Sequence, residues 1–388
     1  MRIRALPSCA LLTVLGAVAA SAHHRQMPPV VAITTSGDTA LPRTTPPGRS
    51  TMVLAIDGPG GAAIVTVQPF VDPLSRLVVA PEGGNARPAI AASGRTVVWD
   101  TDEDPLGLSL PGRQVVISER GDLAPVSLDP TGTSENPSTD STGRVVVFES
   151  TGDLASTGNL GQRQVFLRDR TGTIRQLSRG LGASRNAVVS PRRGYVAFES
   201  TSHPDTGADT GIEQIWLGTL DGAAAPLTSG SGPSRNPAFS NDARLLAFES
   251  TADLTAGGVD TGVPQIYVHD LKTGTSARVT NQASGCSAPA VAKMIGDWRV
   301  AFVCDGAPYL YSLRTDRLFA VEASGGTTAR IVLELGVHFV AVSTSANLLG
   351  SGSTPGKQVY LVNTYKRPPV AVPTSPAVWF PFRGLPGP

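Results

Sequence analysis

Between residues 84 and 363 the chain switches repeatedly between short apolar runs rich in Val, Ile, Phe and Tyr and breaks made of Gly, Pro, Asn, Asp or Ser. Runs of about five β-branched or aromatic residues bounded by turn formers predict strands. One run recurs: TVVWDT at Trp99, VVVFEST at Phe148, YVAFEST at Phe198, LLAFEST at Phe248, RVAFVCD at Phe302 and FVAVSTS at Val342. A segment such as SRNPAFSNDAR precedes each copy, and a segment opened by Gln114, Gln164, Gln214, Gln265 or Gln358 follows. A closing segment, as in APLTS or ARVTN, completes a unit of four antiparallel strands. A lone four-stranded meander cannot bury both faces, so copies must stack, and closing the stack radially removes its ends. The pattern therefore predicts an all-β protein, a β-propeller of four-stranded antiparallel blades.

Six units are plain. STMVLAIDG, AAIVTVQPF and LSRLVVA, between Ser50 and Ala80, match the second, third and fourth segments of another. Seven blades are expected, with six as the alternative if residues 29–80 form only a cap. The first strand of that N-terminal blade is either PVVAITT (Pro29–Thr35) or a C-terminal strand such as AVWFPF (Ala377–Phe382), which would clasp the ring. The expected organisation is a signal peptide over 1–22, a Pro/Gly-rich segment over 23–50 able to contribute a strand, the propeller over 51–372 and a tail over 373–388 that could supply a closing strand.

The string NPAFSNDARLLAFEST…QIYVHDLKTGTSARVT resembles the WD-like propeller repeat of the TolB type: a Pro-containing first strand, a Ser-Asp-Gly-like turn, an aF.S second strand and a closing lT. The resemblance covers roughly residues 80–363 and implies a propeller, with little about activity. TolB itself, a periplasmic part of the Tol-Pal envelope system, carries an α/β domain ahead of its propeller, for which residues 23–50 are too few.

Residues that recur in a repeat protein mark architecture. Phe148, Phe198 and Phe248 read as core. Glu149, Glu199 and Glu249, one position on, read as links to the neighbouring blade, since a catalytic acid is needed once and these occur three times. Index sums across each hairpin place Asn136, Asn186 and Asn236 opposite Ser150, Ser200 and Ser250. In the fifth copy Cys286 and Cys304 take those two places, and a disulfide between them is expected. Trp216, Tyr267 and Tyr360 share a third-strand position and read as inter-blade packing.

Composition narrows the class. The 388 residues are 40% hydrophobic and 16% charged, with 42 Gly and 32 Pro, too apolar for disorder and too turn-rich for helices. Arg2 and Arg4, an apolar run and Ala20-Ser21-Ala22 form an export signal too short to span a bilayer once mature. Its removal leaves 30 basic and 31 acidic residues, a near-neutral balance that argues against nucleic acid. The expected protein is secreted or periplasmic and monomeric, with no transmembrane segment.

Chemical motifs are sparse. No G-x-S-x-G elbow is present, and the histidines at 23, 24, 203, 269 and 338 are mostly far apart. The loops between second and third strands run about a dozen residues in four blades and share a face with those leading into the first strands, where binding usually resides. Relatives of this repeat often read D-x-N-G-x-x-D there, which resembles a calcium loop. ADTGIEQ and VDTGVPQ keep Asp209 and Asp260 but end on neutral Gln, so these two are weak metal candidates for calcium; His23 and His24 at a new N-terminus could chelate copper but read as a frayed tail, and no cofactor is expected. The resulting expectation is a non-catalytic protein- or envelope-glycan-binding scaffold. Its alternative is a propeller enzyme, a lyase or glycan hydrolase, whose mark would be two or more carboxylates converging with a His or Tyr at the channel mouth.

Overall fold

The computed structural model describes residues 30–33, 43–44, 51–68, 75–159, 161–222, 224–255, 257–294, 296–321, 328–333, 339–349, 353–364 and 370–372. The expected signal peptide and the 373–388 tail lie outside them. Every regular element is a strand, and the strands form seven antiparallel sheets, six of four strands and one of five. Each sheet is a blade of a seven-bladed propeller. Blades 2 to 5 begin at Asn85–Ile90, Ser134–Thr139, Ser184–Val189 and Ser234–Phe239, and blade 6 begins at Cys286–Met294. First strands of successive blades touch one another around the whole ring, that of blade 1 (Arg43–Thr44) meeting that of blade 7 (Thr328–Leu333). They therefore line the axis.

Closure differs from the two sequence options. Val30–Ala32 pairs with the third strand of blade 7, Val30 opposite Val362, so it is the outermost strand of the last blade rather than the first strand of blade 1. Val370–Val372 adds a fifth strand to blade 6, Leu318 opposite Val372. The suggested clasp at 377–382 lies outside the described residues.

Alternation sets the core. In blade 3, Phe148 packs toward blade 2 with Val98 and Val115, while Val147 and Val165 pack toward blade 4 with Val196 and Phe198. Phe148, Phe198, Phe248 and Phe302 each stack on the residue opposite in the third strand, Phe166, Trp216, Tyr267 and Tyr309, with ring centroids 5.7–6.1 Å apart. Every blade thus presents paired aromatic or aliphatic side chains to both neighbours.

The glutamines that open the third strands hold each blade to the next. Gln164 Oε1 accepts from Ser178 Oγ at 2.6 Å, and its Nε2 donates to the carbonyl of Gly182, which leads into blade 4. Gln114, Gln214 and Gln265 repeat this with Ser127, Thr228 and Thr280. The recurrent Gln and the closing Ser or Thr are therefore one hydrogen-bonded device, which satisfies backbone groups in the buried joint between blades.

Candidate functional site

The first strands of blades 2 to 6 carry a bulge two residues after their start. Asn136, Asn186 and Asn236 have φ of 53°, 51° and 54°, a left-handed conformation that Asn tolerates better than most residues. The extra residue shifts the register. Ser134, Ser184 and Ser234, not the asparagines, lie opposite Ser150, Ser200 and Ser250. This corrects the Asn–Ser pairing expected from a constant index sum, which has no allowance for a bulge. By the same correction Cys286 stands where Ser234 stands, and Ala288, with φ of 54°, takes the place of Asn236. Cys286 and Cys304 lie opposite each other with Cα atoms 4.3 Å apart and are disulfide-bonded.

Freed from the serine, each Asn side chain turns to the glutamate of its own blade. Asn136 Nδ2 donates to Glu149 Oε1 at 2.6 Å, and that oxygen also accepts the backbone N–H of Asn186 in the next blade at 2.6 Å. Glu199 does the same with Asn186 Nδ2 and the N–H of Asn236, and Glu249 with Asn236 Nδ2 and the N–H of Ala288. Asp100 begins the series by accepting the N–H of Asn136 at 3.0 Å. These four carboxylates buckle blades 2 to 6 together. Burial pushes the Glu149 carboxyl up to about 7, against the opposing pull of its Asn136 and Asn186 donors, and raises Glu199 and Glu249 as well.

Beside the buckle lie positions that do not repeat. The residue before the bulge is Ala86, Glu135, Arg185 and Arg235 in blades 2 to 5, and the residue before the third-strand Gln is Arg113, Arg163, Glu213 and Pro264. Glu135, Arg163, Arg185, Glu213 and Arg235 of this set, with Arg87 at the bulge of blade 2, form two Arg-Glu-Arg triads. Glu135 is ion-paired to Arg87 and Arg163; Glu213 is ion-paired to Arg185 and, at 2.9 Å, to Arg235. Arg163 also reaches Glu149 at 3.2 Å. The triads adjoin through the buckle, since Arg163 reaches Glu149, which accepts the N–H of Asn186 beside Arg185; burial and the Arg87 and Arg185 guanidinia lower the proton affinity of Arg163. Burial works to raise Glu213, but its Arg235 hydrogen bond and the charges of Arg235 and Arg185 hold it below the usual carboxylate range. The glutamate side chains are 16% and 11% exposed, and the four arginines 33–45%. The arginines are shared with the buckle, Arg87 pairing also with Asp100 at 2.8 Å and Arg185 with Glu199 at 3.4 Å, and the guanidinia are the more exposed members. All of these residues sit at first-strand starts or third-strand starts, so the belt rims the channel on the face of the long loops.

The remaining candidates are dispersed. Asp209 and Asp260 cap backbone N–H groups of Gly211 and Gly262 at 3.0 and 2.9 Å, each at an exposed hairpin end; the two do not come together. His269 is buried in a third strand with Nδ1 3.0 Å from Ser276 Oγ. His23, His24 and His338 lie outside the described residues. Among the described residues no three His, Cys, Asp or Glu side chains form a group able to hold a metal, and no helix is long and apolar enough to cross a membrane. The triads lie at places where the repeat varies, and the substitutions at those otherwise recurring places are the signal of them in the sequence.

No protein family model matches the sequence, and no curated protein matches it. Solved structures do. Oligogalacturonate lyase from Vibrio parahaemolyticus is similar at TM-score 0.62 and 11% identity, over 86% of this chain and 93% of that one. An oligogalacturonate lyase in complex with manganese is similar at 0.60 and 12%, over 86% and 92%. TolB from Acinetobacter baumannii is matched at 0.43 and 13%, over 67% and 62%, too partial a likeness to argue from. At these identities the matches establish the fold. The expectation of a non-catalytic scaffold is corrected in one respect: two propellers similar over most of both chains are oligogalacturonate lyases, as in the enzyme alternative. The residues that converge differ from the expected mark of an enzyme: the carboxylates meet arginines, with no His or Tyr bonded to them among the described residues. The chain is a seven-bladed β-propeller.

Proposed function

We propose that this protein is a propeller enzyme acting on an acidic glycan, a lyase in reaction type, with its site on the belt of triads at the channel mouth. The carrying observation is the pair of adjoining Arg-Glu-Arg triads placed where the repeat otherwise varies. Guanidinium forks match carboxylates in geometry and charge. In β-elimination from a uronic acid the carboxylate must be neutralised before the hydrogen at C5 can leave as a proton. The C5–H and C4–O bonds then break, a C4–C5 double bond forms, and the leaving oxygen takes up a proton. Arg87, Arg163, Arg185 and Arg235 are suited to the neutralising role, which is electrostatic stabilisation of developing charge. Glu135, one of a kind at its position and held between two guanidinia, is the group proposed to exchange the proton. The described side chains form no metal-holding cluster, so the manganese of the similar lyase enters no step here. The disulfide suits an oxidising compartment, and export to the periplasm or beyond is part of the proposal.

Incubation with oligogalacturonate and other uronate oligomers should yield unsaturated products absorbing in the near ultraviolet. Arg163→Ala and Glu135→Gln should each lower kcat/KM by roughly a hundredfold or more. Absence of unsaturated product with every acidic glycan, or full activity in both variants, would overturn the reading.

A further inference from the structure

A second feature lies away from the channel. A cleft of about 670 Å³ runs along the outer wall between blades 3 and 4, within the range of small-ligand sites. One wall is the outer strand of blade 3 (Ile174–Gln176) continuing to Gly180; the other is the third strand of blade 4 (Asp209–Thr219) with Trp216. Gly222 and Ala224, in and beside the small outer strand of blade 4, leave the space unfilled, and His203 from the loop above reaches its rim. Trp216 stacks on Phe198 at 6.1 Å, as Phe166 does on Phe148. In blade 5 the equivalent Tyr267 gives its hydroxyl to the carbonyl of Ala252 at 3.1 Å; Trp216 Nε1 has no acceptor.

Two arginines, Arg175 and Arg179, and His203 line the cleft, with Thr157, Gln176, Ser178 and Ser200 supplying acceptors as well as donors. Arg175 Nε is likewise buried without a partner, its Nη2 being spent on the carbonyl of Leu220 at 2.7 Å. Arg179 is exposed on the wall and makes no ion pair among the described residues. His203 Nδ1 accepts N–H groups of Asp205 and Thr206, which leaves Nε2 as its N–H donor. Against these stands one acid, Asp221, at the far end. Unpaired buried donors are rare because each costs free energy; the donors open to an occupant bearing acceptor oxygens are those of exposed Arg179 and His203. An aromatic ring framed by arginines suits the apolar face of a pyranose and its carboxylate.

We infer that this cleft is an accessory site for one uronic acid residue of the glycan chain, separate from the channel-mouth belt. The inference takes its substrate class from the proposed function. It tethers the chain at the ring's edge while the belt acts on another residue.

The test titrates the full-length protein with an oligogalacturonate, with a neutral galacto-oligosaccharide of equal length and with citrate, by calorimetry and tryptophan fluorescence. Trp216→Phe is chosen because Phe166 shows that the fold accepts phenylalanine there; Arg179→Ala removes an exposed charge. The acidic oligosaccharide should bind and change tryptophan emission, the neutral sugar and citrate should bind at least about tenfold more weakly, and either variant should raise Kd by about tenfold. Arg163→Ala should keep this binding. Equal binding of acidic and neutral sugars, tighter binding of citrate, no binding at all, or unchanged affinity in both variants would overturn the inference. The titrations are run in the Glu135→Gln background and checked for unsaturated product, so failure of cleft binding is distinct from failure of the lyase reading: a protein that makes no unsaturated product yet binds through Trp216 and Arg179 supports the cleft alone.

Discussion

In blade 5 the hydroxyls of Ser234 and Ser250 meet at 2.9 Å across the inner hairpin. One place round the ring, in blade 6, the equivalent residues are Cys286 and Cys304 and the contact is covalent. The neighbouring positions change with them. Blade 5 has Asn236 and Glu249, and Glu249 reaches the N–H of Ala288. In blade 6 the matching residues are Ala288 and Val303, and nothing there can pass a carboxylate to blade 7. The belt of charges ends where the disulfide begins. One joint is held by hydrogen-bonded carboxylates beside the arginines, the other blade by a disulfide and apolar contact, and the difference can be tested blade by blade.

The largest effect should be common to both blades. Phe248 and Phe302 are both buried against the preceding blade, and Phe248→Ala and Phe302→Ala should each cost about 3 to 5 kcal/mol in denaturant unfolding. A cost below about 1 kcal/mol in one of them would mean that the two blades do not share a packing scheme.

The next effect should separate the blades. Reduction, or Cys286→Ser with Cys304→Ser, should cost roughly 3 kcal/mol in the chain-entropy account, less what the restored serine pair returns. Conversely Ser234→Cys with Ser250→Cys should form a disulfide, because those residues are opposed in the same way. Mass mapping of the unreduced protein checks both. Free thiols at 234 and 250 would show that the two hairpins are not equivalent.

A pH-dependent effect should belong to blades 3 to 5 alone. The Glu149 carboxyl binds its proton more tightly folded, near 7, than its ordinary value of 4.5. Its contribution to stability is therefore complete below about 4.5 and lost as pH rises through 7, on the order of 3 kcal/mol if the whole shift is realised. Unfolding midpoints should fall between pH 5 and 8 for this reason, and Glu149→Gln, which keeps an acceptor for Asn136 and Asn186, should flatten that slope. An unchanged slope would mean the buckle stays ionised.

The smallest effect is expected at the exposed hairpin ends. Asp209→Ala and Asp260→Ala each remove one capping acceptor and should shift stability by under about 1 kcal/mol. A loss as large as that of Phe248→Ala would reverse the division between loop and core.

The sequence by itself determined whatever depends on neighbours along the chain. Strands and turns follow from alternation and from Gly, Pro, Asn and Asp. The repeat of fifty residues between Phe148, Phe198 and Phe248 made a ring of four-stranded blades the economical solution. Cys286 and Cys304 could be paired because a hairpin's register follows from its turn, and the missed bulge at Asn136 shows the limit of that rule: one residue in a left-handed conformation shifted the inner pairing of three blades. Tertiary structure alone decided what depends on the rotation between sheets. Glu149 meets the N–H of Asn186 because one blade is turned against the next by the packing of Val147 on Phe198, and no periodicity in the chain states that angle. Closure by Val30–Ala32 on blade 7, more than 300 residues away, the meeting of Glu135 with Arg87 and Arg163, and the cleft beside Trp216 are of the same kind. Their residues are polar or sit at strand ends, where burial exerts no periodic demand on the sequence, so their positions become meaningful only once the ring has closed.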